Sequence, residues 1–137
     1  PIFVGLSKAI EKDKSRYYNE LKKAQRNLQI TDWVHYFFDI LNAALINSKN
    51  VVTFTLKKVR FFDSFQDQLN ERQLKAINKM MEQGEEGFEG GMTAKKYISI
   101  NKTSKATATR DLQQLAEMNA FIKVGAGRSV SYELNMY

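Results

Sequence analysis

The sequence predicts a mainly α-helical chain that closes in a small β-hairpin: a helical segment over residues 1–69, then a second domain over 70–137. Three observations lead there. Apolar residues recur at intervals of three and four along most of the chain. Proline occurs once and glycine seven times, so long elements run with little turn punctuation. Only near the C-terminus, in "FIKVGAGRSVSYEL", do β-branched and aromatic residues flank a Gly-Ala-Gly.

Residues 7–26, "SKAIEKDKSRYYNELKKAQR", read as helical, with Ser7 as N-cap and a break into two shorter helices near Lys14 and Ser15. Ile10, Tyr17, Leu21 and Ala24 supply the apolar stripe. "NLQI" links to a second start at "TDW", where Thr31 caps and Asp32 favours the positive end of the helix. The helix that follows is long. Trp33, Phe37, Leu41, Ala44 and Leu45 recur at helical spacing, and Val52, Leu56 and Val59 continue it. Within it "NVVTFTL" is strand-like in composition. No Gly or Pro interrupts residues 32–69 and no hairpin turn offers a pairing partner, so the segment reads as helix.

A new unit starts at Asn70, and the domain boundary falls at Leu69–Asn70. Asn70 is the N-cap, Glu71 lies in the first turn and Gln73 completes a capping box. Leu74, Ile77 and Met81 form the stripe, and Gly84 is a natural stop. "GEEGFEGG" reads as a flexible acidic loop. A short helix "TAKKYISI" follows, capped by Thr93, then the turn "NKT" and a helix capped by Ser104. In this helix Ala108, Leu112, Leu115 and Ala116 face inward, while Lys105, Thr109, Arg110 and Gln113 face outward. "FIKV", "GAG" and "RSVSYEL" then give two strands about a tight turn.

The chain is 43% apolar and carries a formal net charge of +6. That composition supports a core and excludes a disordered tail. Cysteine is absent, so disulfides and thiolate metal sites are excluded; a reducing, cytoplasmic setting is expected. No apolar run approaches the roughly 18 residues of a membrane helix and no signal peptide is visible, so no membrane partner is expected. The chain starts at Pro1, not Met, and is expected to be a piece of a longer protein. Charge is segregated in the second unit. Residues 71–89 hold five Glu, whereas 90–110 hold Lys95, Lys96, Lys102, Lys105 and Arg110 with no acid.

Three helices and a hairpin, in that order, are the layout of a winged helix-turn-helix. In that layout a short helix and turn brace a second helix whose N-terminal end meets the major groove. Phosphates need cations and helix N-terminal amides; base edges need donors and acceptors. Lys102, Thr103, Ser104, Lys105, Thr107 and Thr109 sit at or near that end, Arg110 lies one further turn along, and Arg128 in the hairpin turn is placed to reach a phosphate or the minor groove. These eight are the candidate DNA-binding residues. The partner is double-stranded DNA, or a protein, since many winged helices bind proteins.

"TAKKYISINKTSKATATRDLQQLAEMNAF" also resembles the helix-turn-helix of bacterial winged-helix regulators, through Ser104, Lys105, Thr107-Ala108-Thr109-Arg110-Asp111-Leu112 and Leu115. Those regulators usually have Gly after the helix; here Asn119 stands, which also tolerates the left-handed region. Upstream, "PIFVGLSKAIEKDKSRYYNELKKAQRNLQITDWVHYFFDIL" resembles the C-terminal end of a Fic domain. Pro1, Leu6, Ser7, Tyr17, Tyr18, Leu21, Asp32, Trp33, Phe37 and Phe38 match in order. The resemblance implies a parent enzyme that transfers AMP from ATP, with Mg, to a protein hydroxyl, its winged helix serving as a regulatory domain. The family signature H-x-F-x-x-G-N-G-R is absent from these 137 residues. No catalytic residue, cofactor or metal is therefore assigned here, and the chain is expected to be non-catalytic. The alternative is a stand-alone regulator dimerising through residues 7–69.

Three further features read as structural. His35 is the only histidine and cannot make a metal site alone; it reads as a packed or solvated helix residue. "GEEGFEGG" lacks Gly-Lys-Ser/Thr, and its three carboxylates would repel phosphate. "GAGRS" resembles an anion nest but sits between strand-like runs, as a hairpin turn does.

Overall fold

The structure, a computed structural model, describes residues 5–26 and 29–136, without the side chains of Gln66 and Arg128. Pro1 and part of the "NLQI" linker lie outside the described residues. The chain is mainly helical with one small antiparallel sheet, and it divides into two compact units, Pro1–Val52 and Thr53–Tyr137.

In the first unit, α1 (Leu6–Lys12) and α2 (Lys14–Ala24) meet at Asp13. The expected break is therefore present, and Asp13 explains it. Its φ of −142° leaves the helical region, and its carboxylate accepts from the Arg16 N–H at 3.0 Å, capping α2. Ser7 is not the cap. Gly5 precedes Leu6 and no side chain caps α1, so Ser7 is simply an exposed helical residue. The third helix, α3, runs unbroken over Thr31–Phe65, including "NVVTFTL", with Asp32 in its first turn. Tyr17 packs edge-on to Trp33 at 5.6 Å, and the Arg16 guanidinium lies over the Tyr36 ring at 5.0 Å.

The buried side of α3 differs from the expected stripe. In the first unit Tyr36, Ile40 and Ala44 are buried, while Phe37 and Leu45 are exposed. Further along, Val52, Leu56 and Val59 are 42%, 54% and 51% exposed, whereas Phe61 is 3% exposed in a core cluster against which Phe54, Phe62 and Phe65 pack. The cause is the sequence itself: from Trp33 to Ile46 apolar residues occupy nearly the whole circumference, so several helical stripes fit the same residues.

The second unit begins inside α3, before the expected boundary at 69–70, because the phenylalanines at 54–65 join the C-terminal core. A 3₁₀ turn (Gln66–Gln68) leads to α4 (Glu71–Met81). The capping box is complete: Asn70 Oδ1 accepts from the Gln73 N–H and Gln73 Oε1 accepts from the Asn70 N–H, each at 3.0 Å. Ile77 and Met81 are buried as expected, but Leu74 is exposed; Gln73, Ala76 and Met80 complete the inner face. Gly84 lies past the helix end at φ +69° and opens a 3₁₀ turn, Gly84–Glu86.

Then come α5 (Ala94–Asn101), capped by Thr93, and α6 (Lys105–Glu117), capped by Ser104. Asn119, at φ +61°, takes the left-handed position after α6. Strands β1 (Phe121–Val124) and β2 (Ser131–Leu134) pair antiparallel from Phe121↔Leu134 to Val124↔Ser131. Their connection is longer than Gly-Ala-Gly, because Gly127–Ser129 form a 3₁₀ turn. Gly125 is required there. Its φ is +79°, and a Cβ would stand 2.7 Å from the Ser129 carbonyl oxygen. Unforeseen from sequence is a third stretch of pairing: Met92 bridges Tyr132, with N–H donations to carbonyls in both directions at 2.7 and 2.9 Å. Gly91 permits that approach, since a Cβ would meet the Tyr132 carbonyl at 3.0 Å. Met92, Tyr97, Leu112, Leu115 and Phe121 form the centre of this core.

Candidate nucleic-acid interface

The candidate surface is built on two short helices and the turn between them. Helix α5 ends because Lys102 turns left-handed, at φ 49° and ψ 47°. Such a conformation is costly for a residue with a Cβ, and it lets the chain reverse in three residues. Helix α6 then starts at Ser104, whose Oγ accepts from the Thr107 N–H at 3.2 Å and lies 3.0 Å from Thr107 Oγ1. Ala108, Leu112 and Leu115 are buried and Ala116 is half-buried, which leaves the opposite face outward.

Lys102, Lys105, Thr109 and Arg110 are exposed, and the three cations make no ion pair among the described residues. Thr109 Oγ1 donates to the Lys105 carbonyl at 2.9 Å, so the hydroxyl keeps only acceptor capacity. Ser104 and Thr107 are engaged in the cap and with each other, and Thr103 and Thr107 are half-buried. These three serve the turn more than the outward surface. The backbone around Arg128 lies in the hairpin connection; its side chain lies outside the described residues.

Lys96 belongs to the basic run but is used elsewhere. Its Nζ donates to the carbonyls of Glu89 and Gly91, the latter at 3.0 Å, and stands 4.7 Å from the centre of the Phe88 ring. It joins the acidic loop to α5, and within that loop Gly84–Glu86 form a 3₁₀ turn. The local positive surface rests on Lys95, Lys102, Lys105 and Arg110.

Sequence reasoning missed the group beneath α6. Asp111 is 2% exposed. Its Oδ2 accepts from Arg72 Nε at 2.8 Å and from the Tyr97 hydroxyl at 3.0 Å, and Arg72 Nη2 stands 3.3 Å from its Oδ1. Gln73 Nε2 donates to the Asp111 carbonyl and to Gln114 Oε1, each at 3.2 Å. Burial pushes the Asp111 carboxyl up, but the hydrogen bonds from Arg72 and Tyr97 and the Arg72 charge outweigh it, leaving the group below its ordinary 3.8. Tyr97 is driven well above its ordinary value, first by burial and then by the neighbouring carboxylate. The signal was available: Asp111 shares a helical face with Ala108, Leu112 and Leu115, and an acid on an apolar face calls for a buried partner.

His35 is exposed on α3. Among the described residues no three His, Cys, Asp or Glu side chains gather as a metal would require, and no helix is long and apolar enough to cross a membrane. Neither known family models nor curated protein sequences match this chain.

Proposed function

We propose that residues 70–137 are a winged helix-turn-helix that binds double-stranded DNA, with the N-terminal half of α6 as the reader and the β1–β2 hairpin as the wing. The observation that carries this reading is the outward face of α6. Lys105, Thr109 and Arg110 stand exposed beside Lys102, at the amino end of a capped helix with its opposite face buried. An amino end attracts phosphate through its free amides and dipole, and exposed cations add counterion release. Fluorescence anisotropy with duplex DNA at two salt concentrations is the test. Affinity should fall steeply with salt, and Lys105→Ala and Arg110→Ala should each weaken binding by about 1–3 kcal/mol. If both variants bind like the parent, the surface is misassigned; a protein captured at the same face with no DNA affinity would transfer the reading to a protein-binding module.

The helical segment before it is, on this reading, the end of a Fic-type domain in a cytoplasmic bacterial protein. This chain would then be its non-catalytic C-terminal part, and ATP with Mg would serve the parent's AMP transfer. The support is the ordered match from Pro1 to Phe38. Encoded sequence upstream of Pro1 that lacks H-x-F-x-x-G-N-G-R would overturn it. A second reading, a dimeric regulator, draws on the exposed Val34, Phe38 and Leu45 of α3, an apolar face that a second copy could cover. Sedimentation equilibrium separates the two readings: a monomer at tens of micromolar excludes the dimer.

A further inference from the structure

Three helices of the second unit converge on one carboxylate. Arg72 comes from α4, Tyr97 from α5 and Asp111 from α6, and Asp111 follows Arg110 directly in the sequence. Apolar contacts between helices are non-directional, and the inward residues of α6 include a small Ala108 that resists rotation weakly. A carboxylate held by hydrogen bonds from two sides has a defined orientation. The magnitude matters. At a side-chain radius of about 5 Å, a helix rotation of roughly 20° carries an outward side chain about 2 Å. Base-edge hydrogen bonds do not tolerate a shift of that size.

We propose that Asp111 is a positioning residue for sequence reading: through Arg72 and Tyr97 it fixes the rotation of α6, so that Thr109 and Arg110 meet base edges in register. This rests on the DNA-binding reading above. Buried ion pairs contribute little net stability compared with well-packed apolar groups, so a purely stabilising role would be met equally well by a leucine. Arg72 is 41% exposed and can turn to water when its partner is removed.

The test is the double variant Tyr97→Phe with Asp111→Leu in the full chain. It removes the directional bonds, leaves no buried hydroxyl orphaned and retains every cation. It also removes a negative charge next to Arg110, so electrostatics alone would strengthen DNA binding. Two probes are used: a duplex selected by the parent protein from a random-sequence pool, and poly(dI-dC). The expected result is a thermal midpoint at or above the parent's, about ten-fold weaker binding to the selected duplex, and unchanged or tighter binding to poly(dI-dC). Equal loss on both probes, or no loss on either, overturns the proposal. Residual dipolar couplings of the α6 amides relative to those of α4 give a readout without DNA. They should change in the double variant, and unchanged couplings overturn the positioning role. A parent that binds neither probe overturns the DNA reading alone, because the couplings still decide whether Asp111 orients α6.

Discussion

Asp111 shows how one side chain ties acid stability to the seating of α6. Its folded-state value lies below the ordinary 3.8 because the bonds from Arg72 and Tyr97 outweigh burial. A group depressed in this way contributes stability above its unfolded value, and that contribution is lost as pH falls through the folded value. Urea midpoints of the parent and Asp111→Asn should therefore differ by a constant amount between about pH 7 and pH 5 and converge below about pH 4. A gap that persists at low pH would mean that the carboxylate's charge is not what the network uses. The neighbouring hydroxyls differ in role: Ser104 and Thr107 close the cap, while Thr109 binds its own helix and faces outward. The sequence shows the hydroxyl cluster, but a hydroxyl's partner depends on rotamer and turn geometry, which composition does not encode.

At the scale of elements, α3 is the instructive case. Its existence follows from an uninterrupted run without Gly or Pro, and its length overrides the strand preference of "NVVTFTL", where no partner strand is available. Which side it buries does not follow, since more than one apolar stripe fits. The structure buries Phe61 and leaves Leu56 and Val59 outward. Phe61→Ala should cost about 3–5 kcal/mol in denaturant unfolding. Leu56→Ala, on the exposed side of the same helix, should stay within about 0.5 kcal/mol. Comparable losses at both positions would show that the outward stripe is covered. Helices α4 and α6 were legible to the residue at their starts, because Asn70 with Gln73, and Ser104, are local signals read over three or four positions.

At the scale of the whole molecule, the two units differ in how much they bury. Helices α1 and α2 contain no buried residue, whereas α4 and α6 contribute five and four. Short helices are marginal in water unless packing holds them, and the inner face of α1 and α2 is only half-buried, at Ile10, Tyr17, Leu21 and Ala24. Amide hydrogen exchange should therefore be faster over 6–24 than over 76–81 and 108–115, by a few orders of magnitude, as expected for local against global opening. Equal protection in both regions would mean that the first unit has a core of its own strength.

The sequence by itself determined the starts of α4, α5 and α6, the loop positions, the hairpin near the C-terminus and the inward and outward faces of α6, because caps, glycines and helical period act over a few neighbouring residues. Only the tertiary structure decided which stripe of α3 is buried, where the units divide, that Met92 pairs with Tyr132, and that Asp111 joins Arg72 and Tyr97. Each of these depends on residues far apart in the chain, and a directional contact across that separation leaves no periodic trace in the sequence.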